Sequence, residues 1–331
     1  MRNALVAQNF FPDLDVRGWI STFVDRVLDG PVLGPVWDAL GDLIRLVDGW
    51  LLYGLQDPPL FFLLVLLPAL AWIGRDWKHA VAMLAIVGVA GALGAPGVVM
   101  VIIGLALIAY LAGGWKFVAL TVLGFGFIDS MGYFDGTMRS LSLVLISAVF
   151  AALLGVPLGI LAARSHLVST GIRPVLDFMQ TMPAFVYLLV AIILFSVGPP
   201  GGVVASFIFA TPPAVRLTEL GIRQVDAEVV EAARAFGAKD RELLLQVQLP
   251  LARPTIMAGI NQVIMLSLSM VVIAGLAGAG GVAADVVAGV TRLQVGRGLA
   301  AGLAVVLLAI YLDRVTAAFG TPVEGASRGT L

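Results

Sequence analysis

Residues 231–250 read EAARAFGAKDRELLLQVQLP, a charged stretch set between two long apolar runs. Glu231, Ala232 and Ala233 come first, Gly237 follows, and Val247, Leu249 and Pro250 close it. These residue types suit docking against another protein. Asp226 is a natural N-cap, Ala227 to Phe236 are good helix formers of little bulk, and Gly237 can take the left-handed conformation that ends a helix. Asp240 is expected to cap a second short helix, and Pro250 to end it by withholding a backbone donor. Two short helices hinged on a glycine make a rigid knuckle outside the membrane, shaped for a groove in a soluble partner. Ala232 and Ala233 allow close approach. Without a partner the same residues would form a solvated hairpin.

The knuckle sits in a loop, Arg216 to Arg253, that concentrates charge the rest of the chain avoids. Four of the five glutamates are here, Glu219, Glu228, Glu231 and Glu242, with Glu324 elsewhere. Overall the chain is 60% hydrophobic and 12% charged, against roughly 45–50% and about 25% in soluble domains. Its solvent is therefore largely lipid. Apolar runs measured against the roughly 20 residues that a spanning helix needs give about nine candidates, within a range of seven to nine. They lie near residues 59–74, 79–94, 97–113, 115–129, 138–163, 175–197, 201–217, 255–277 and 298–317. The first four are short, and the first two could be re-entrant or tilted pieces. The fold class is an all-α integral membrane protein.

Lysine and arginine give the orientation, because short cytoplasmic loops carry the positive excess. Arg75, Lys78, His79, Lys116, Arg164, His166, Arg173, the cluster from Arg216 to Arg253, Arg314 and Arg328 fall on one side, taken as cytoplasmic. Asp129, Asp135, the neutral GPPGG at 198–202 and the segment from Asp285 to Arg297 fall on the other. An odd number of spans puts the N-terminus outside and the C-terminus inside. Residues 1–57 carry eight aspartates against four arginines, as an extracytoplasmic segment would. That segment holds two apolar stripes at helical spacing. One is Trp19, Ile20, Phe23, Val24, Val27 and Leu28. The other is Val36, Trp37, Leu40, Leu43, Ile44, Val47, Trp50 and Leu51. Such helices could lie on the bilayer surface or pack on the bundle.

Several functions are excluded or disfavoured by the same inventory. A net charge of −1 and the absence of cysteine leave no basic footprint for nucleic acid, no disulfide and no thiolate metal site. The two histidines, His79 and His166, form no H-E-x-x-H zinc motif, and the AGAGG at 277–281 reads as close helix packing. A phosphate-binding loop needs glycine before its lysine, yet Lys78, Lys116 and Lys239 follow Trp77, Trp115 and Ala238. No ATP site is expected in this chain. An ion-coupled secondary transporter would place ionisable groups deep in the membrane, whereas residues 140–163, 178–197, 201–215 and 255–284 contain none. Sodium coupling through carbonyls and hydroxyls is the form of that alternative left open.

Four stretches narrow the reading: VPLGILAARS at 156–165, RPVLDFMQTMPAFVYL at 173–188, PPAVRLTELGI at 212–222 and VQLPLARPTIMAGINQVIMLSLSMVVIAG at 247–275. From about Thr137 to Gly320 the chain resembles the permease subunit of glycine betaine and proline betaine ABC importers, the osmoprotectant systems. The spacing from Glu231 to Pro250 is that of the cytoplasmic loop of ABC importer permeases, with Val247 where isoleucine is usual. The resemblance implies a type I importer permease core at 137–320 with its coupling loop at 216–253. Residues 58–136 would add accessory spans, and 321–331 would form a cytoplasmic tail. It also implies a bacterial cytoplasmic (inner) membrane, two ATPase subunits that bind ATP and magnesium, a second permease copy and an extracytoplasmic binding protein. Glu231, Ala232, Ala233, Gly237, Val247, Leu249 and Pro250 would then meet the ATPase. Glycine betaine, proline betaine, choline and carnitine fit the architecture alike.

For the translocation pathway the polar residues inside apolar runs are candidates: Gln180, Thr181, Asn261, Gln262, Ser267 and Ser269. Each prefers a protein interior or wet cavity over lipid, and each could equally serve hydrogen bonding between helices. A quaternary ammonium donates no hydrogen bond and suits aromatic faces, which adds Phe178, Phe185 and Tyr187 beside the simpler reading of bundle packing.

Overall fold

The computed structural model describes residues 34–56 and 97–320. The Trp19 to Leu28 stripe, the candidate spans at 59–74 and 79–94 with Arg75, Lys78 and His79, and the tail at 321–331 lie outside the described residues. Among those described, the chain is helical and contains no strand. In order the helices are α1 (Gly34–Gln56), α2 (Gly97–Gly113), α3 (Trp115–Ser130), α4 (Phe134–Arg164), α5 (His166–Thr181) and α6 (Ala184–Phe195). They continue with α7 (Pro199–Arg223), α8 (Ala227–Ala235), α9 (Asp240–Ala277), α10 (Val282–Thr291) and α11 (Val295–Gly320).

Two compact units divide the chain, Met1–Leu43 and Ile44–Leu331. Of the first, the described part is the opening of α1, where Val36 and Leu43 are exposed. In the second, the remainder of α1 buries Ile44 and Asp48 and leaves Trp50 exposed, so only part of the expected apolar stripe faces inward. The Asp48 carboxylate accepts a 2.7 Å hydrogen bond from the Ser142 hydroxyl on α4, which offsets the cost of burying it.

Among the described residues, four helices are long and apolar enough to cross a membrane: α4, α7, α9 and α11. Pairing α5 with α6 makes five. The stretches at 97–113 and 115–129 form α2 and α3, of 17 and 16 residues. Helices α4, α7 and α9 make the centre of the second unit, and small residues bring them together. A Cβ at Gly159 would lie 2.6 Å from the Val215 carbonyl oxygen, and one at Gly155 would lie 2.5 Å from Ala214 Cβ. Glycine at these positions lets the α4 and α7 backbones approach without a hydrophobic driving force, which lipid does not supply.

Two expectations are corrected. The run at 175–197 is not one straight span: α5 and α6 meet at 98°. Pro183 supplies no amide hydrogen and pushes Met182 into extended backbone, φ −70° and ψ 134°, so the helix must stop there. Conversely, Pro250 does not end the second helix of the knuckle. Helix α9 runs unbroken for 38 residues. A π-helical turn at Leu243–Gln248 precedes the proline, and Pro250 opens the following α-helical stretch, where a missing donor is tolerated.

Candidate functional site

The knuckle forms as local chemistry requires. The Asp226 carboxylate accepts from the Glu228 amide at 2.9 Å and caps α8. At the other end Gly237 takes φ 87°, and its amide and that of Ala238 donate to the carbonyls of Arg234 and Ala233 at 2.9 and 3.1 Å. The second cap differs from expectation. Asp240 already lies inside the first turn of α9, and Glu242 reaches back to accept from the Lys239 amide at 2.9 Å. A carboxylate at the third helical position can hold the amide that precedes the helix.

Burial divides the motif in two. Glu231, Ala232 and Gly237 are exposed, Ala233 is half-buried, and no residue of α8 is buried. Phe236, one residue before the glycine, is 93% exposed. Its size among alanines was the signal that reading by spacing passed over. Val247 and Leu249, by contrast, are half-buried beneath the knuckle, while Pro250 is exposed. Leu249 packs with Ile160, Ala163, Val225 and Ile256 around buried Ile222, Leu244 and Ala252. These residues come from α4, α7, α9 and the α7–α8 link. The motif therefore presents one face outward and roots the other in the centre of the bundle.

Beside this root is a cluster the sequence reading did not single out. Glu219 on α7 is 7% exposed. Its Oε1 accepts from the Ser169 hydroxyl at 2.7 Å and lies 3.0 Å from Arg223 Nε and 3.4 Å from Arg173 Nη2. Arg223 also donates to the Ala162 carbonyl at 2.9 Å. Arg216 pairs with Asp177, a second tie between α7 and α5. Two guanidinium groups and a hydroxyl make a buried carboxylate tolerable. The signal available from sequence was the i, i+4 pair of Glu219 with Arg223 at the end of an apolar helix.

The pathway candidates fall into separate places. Phe178, Gln180, Thr181 and Phe185 are exposed on both sides of the α5–α6 bend. Tyr187 is buried, and its hydroxyl donates to the Met179 carbonyl. In a continuous helix that carbonyl would bond to the amide four residues on, which is Pro183 and has none. Tyr187 therefore holds the bend, with its ring edge-on to Phe209 at 5.6 Å between centroids. Asn261 is elsewhere, donating to Asp313 on α11 at 3.0 Å and accepting from Thr316. Ser267 is buried with no hydrogen-bond partner for its hydroxyl. Exposed Ser269 donates to the Met265 carbonyl at 3.0 Å within its own helix, and Gln262 is exposed.

Comparisons with known proteins place the sequence in a family. Residues 155–323 match the family model described as binding-protein-dependent transport system inner membrane component. The chain is 48% identical to the glycine betaine/carnitine transport permease protein GbuB of Listeria monocytogenes, over 93% of this chain and 96% of that one. It is 53% identical to the glycine betaine transport system permease protein OpuAB of Bacillus subtilis, over 59% of this chain and 70% of that one. With the glycine betaine/proline betaine permease ProW of Escherichia coli it shares 48% identity over 72% of this chain and 66% of that one. Among solved structures, a chain of the MetNI methionine ABC transporter in an inward-facing form aligns with a TM-score of 0.47 at 19% identity, covering 54% of this chain and 92% of that one.

Proposed function

Because the chain belongs to the binding-protein-dependent transport system inner membrane components, matched over residues 155–323, we propose that it is the permease of an ATP-driven importer for glycine betaine, proline betaine or a related quaternary ammonium osmoprotectant. The observation that carries this reading is the two-faced knuckle, with Glu231, Ala232 and Phe236 outward and Leu249 packed into the bundle. A soluble ATPase that grips the outer face moves the spans through the inner one. The relatives named for glycine betaine, carnitine and proline betaine support the substrate class.

In this reading two permease copies pair with two ATPase subunits, which bind ATP and magnesium. An extracytoplasmic binding protein selects and delivers the osmolyte. The chain lies in a bacterial cytoplasmic membrane with its N-terminus outside, its C-terminus inside, and the knuckle on the cytoplasmic side. Glu231, Ala232, Ala233, Gly237, Val247, Leu249 and Pro250 couple to the ATPase. The exposed group at the α5–α6 bend, Gln180, Thr181 and Phe185, offers a polar and aromatic surface to a permanent cation. Asn261 and Ser267, on α9, are further candidates for the route. Ion coupling is not favoured, since Glu219 is committed to two arginines and Asp313 to Asn261.

Reconstitution of the chain with its ATPase and binding protein in proteoliposomes tests the proposal. Uptake of labelled betaine should require ATP and resist ionophores, and native mass measurement should find two permease copies per ATPase pair. Uptake that follows a proton or sodium gradient without ATP would overturn it.

A further inference from the structure

We propose that Glu219 is the positioning residue that carries motion of the knuckle into the bent span α5–α6. The inference rests on the importer reading and adds the route taken by the coupling. Helix α8 follows α7 after three residues, Gln224 to Asp226, so displacement of the knuckle acts first on the end of α7. Glu219 lies one turn inside that end. Its single oxygen Oε1 gathers Arg223 on the same helix with Ser169 and Arg173 on α5. Arg223 extends the contact to the last turns of α4 through the Ala162 carbonyl.

A buried carboxylate cannot leave its donors without standing as an unpaired charge in a medium of low polarisability. Helix α5 is thus obliged to follow α7, and Asp177 with Arg216 makes the same link a second time. Helix α6 meets α7 by packing, with Tyr187 edge-on to Phe209, and not through an ion pair. It joins α5 across the Met182–Pro183 break at 98°, where no main-chain hydrogen bond replaces the one that proline withholds and the Tyr187 hydroxyl takes up the Met179 carbonyl. Beyond the far end of α6, the Gly198 amide donates to the Ala277 carbonyl at the end of α9, at 3.2 Å. The bent span therefore connects the knuckle end of the bundle to the opposite end, and Glu219 fixes its near arm.

The decisive measurement is betaine transported per ATP hydrolysed in proteoliposomes holding permease, ATPase and binding protein. Glu219→Gln keeps the volume and removes the charge. It should leave ATP hydrolysis and complex assembly in place while lowering the transport-to-hydrolysis ratio about tenfold, within the usual range of coupling between sites. A purely structural role would lower both activities together and leave their ratio unchanged, and that result would overturn the proposal. Ser169→Ala removes one donor without stranding a charge. If Glu219→Gln does not assemble, a ratio unchanged in Ser169→Ala overturns the inference, and a lowered ratio supports it. A wild-type complex without ATP-dependent uptake would instead overturn the importer reading itself.

Discussion

The knuckle and the bent span occupy neighbouring parts of the bundle but are built by opposite means. From Asp226 to Glu242 nearly every hydrogen bond joins residues at most five apart: Asp226 to Glu228, Gly237 to Arg234, Ala238 to Ala233 and Lys239 to Glu242. At the bend the Tyr187 hydroxyl reaches back across the break to the Met179 carbonyl, and α5 before it is tied to α7 by pairs 39 to 50 residues apart, Asp177 with Arg216 and Ser169 with Glu219. One element carries its shape in its own sequence. The other takes its break from Pro183 but its setting from neighbouring helices, and the two should respond differently to substitution.

The largest effect is expected at Gly237. Its φ of 87° admits glycine readily, and a side chain there costs about 1 kcal/mol in backbone strain, with more if the start of α9 is displaced. Gly237→Asp should abolish ATP-coupled uptake while the permease remains inserted and folded, as judged by yield and thermal melting. Normal uptake would break the comparison, because the knuckle would then tolerate loss of its local geometry.

Tyr187→Phe addresses the other side. It strands the Met179 carbonyl beside Pro183 and should lower stability by about 1 kcal/mol, read as a reduced melting temperature in detergent, with a several-fold slower uptake. An unchanged melting temperature would mean that the bend does not depend on the tyrosine hydroxyl.

Asn261→Ala removes the donor to Asp313 on α11. Uptake should slow a few-fold, while the order in which betaine, choline and proline betaine compete stays the same, since closure of the binding protein sets that order. A reversed preference with the same binding protein would place selectivity in this chain. The mildest outcome belongs to Glu231→Ala: an exposed side chain is lost from a helix with no buried residue, so uptake should fall by less than Gly237→Asp and melting should not change.

The same contrast explains what the sequence made legible. Caps, a left-handed glycine and an acidic-alanine helix obey rules of a few residues, so Asp226, Gly237 and the helix expected over Ala227 to Phe236, which ends one residue earlier at Ala235, could be placed in advance. The end of the second helix could not. Pro250 normally stops a helix, but a π turn just before it keeps the backbone continuous, and nothing in LLLQVQ at 243–248 announces that turn. The run at 175–197 has the length and apolarity of a straight span, and apolar composition hid the weight of a single Met-Pro step. Glu219 was visible as an acid near a helix end, yet its partners Ser169 and Arg173 lie in another helix and emerge only through packing. The part Tyr187 plays at the bend was hidden likewise, because its hydroxyl meets the Met179 carbonyl only once the Met-Pro break is in place.

The π turn also fixes the helical phase of α9. A turn of this kind is equivalent to one residue inserted into an α-helix, and at 3.6 residues per turn one residue corresponds to a rotation of about 100°. The wider turn takes up that rotation, so the Asp240 end of the rod stays in phase with the stretch that contacts α7 and α11. Loss of one residue anywhere in Leu243–Gln248 would restore a uniform helix of nearly the same total rotation, so Phe236 and Glu231 would keep their bearing, whereas loss of one residue from the regular stretch just beyond, where no wide turn can take up the change, would swing the knuckle by about 100° about the rod's axis.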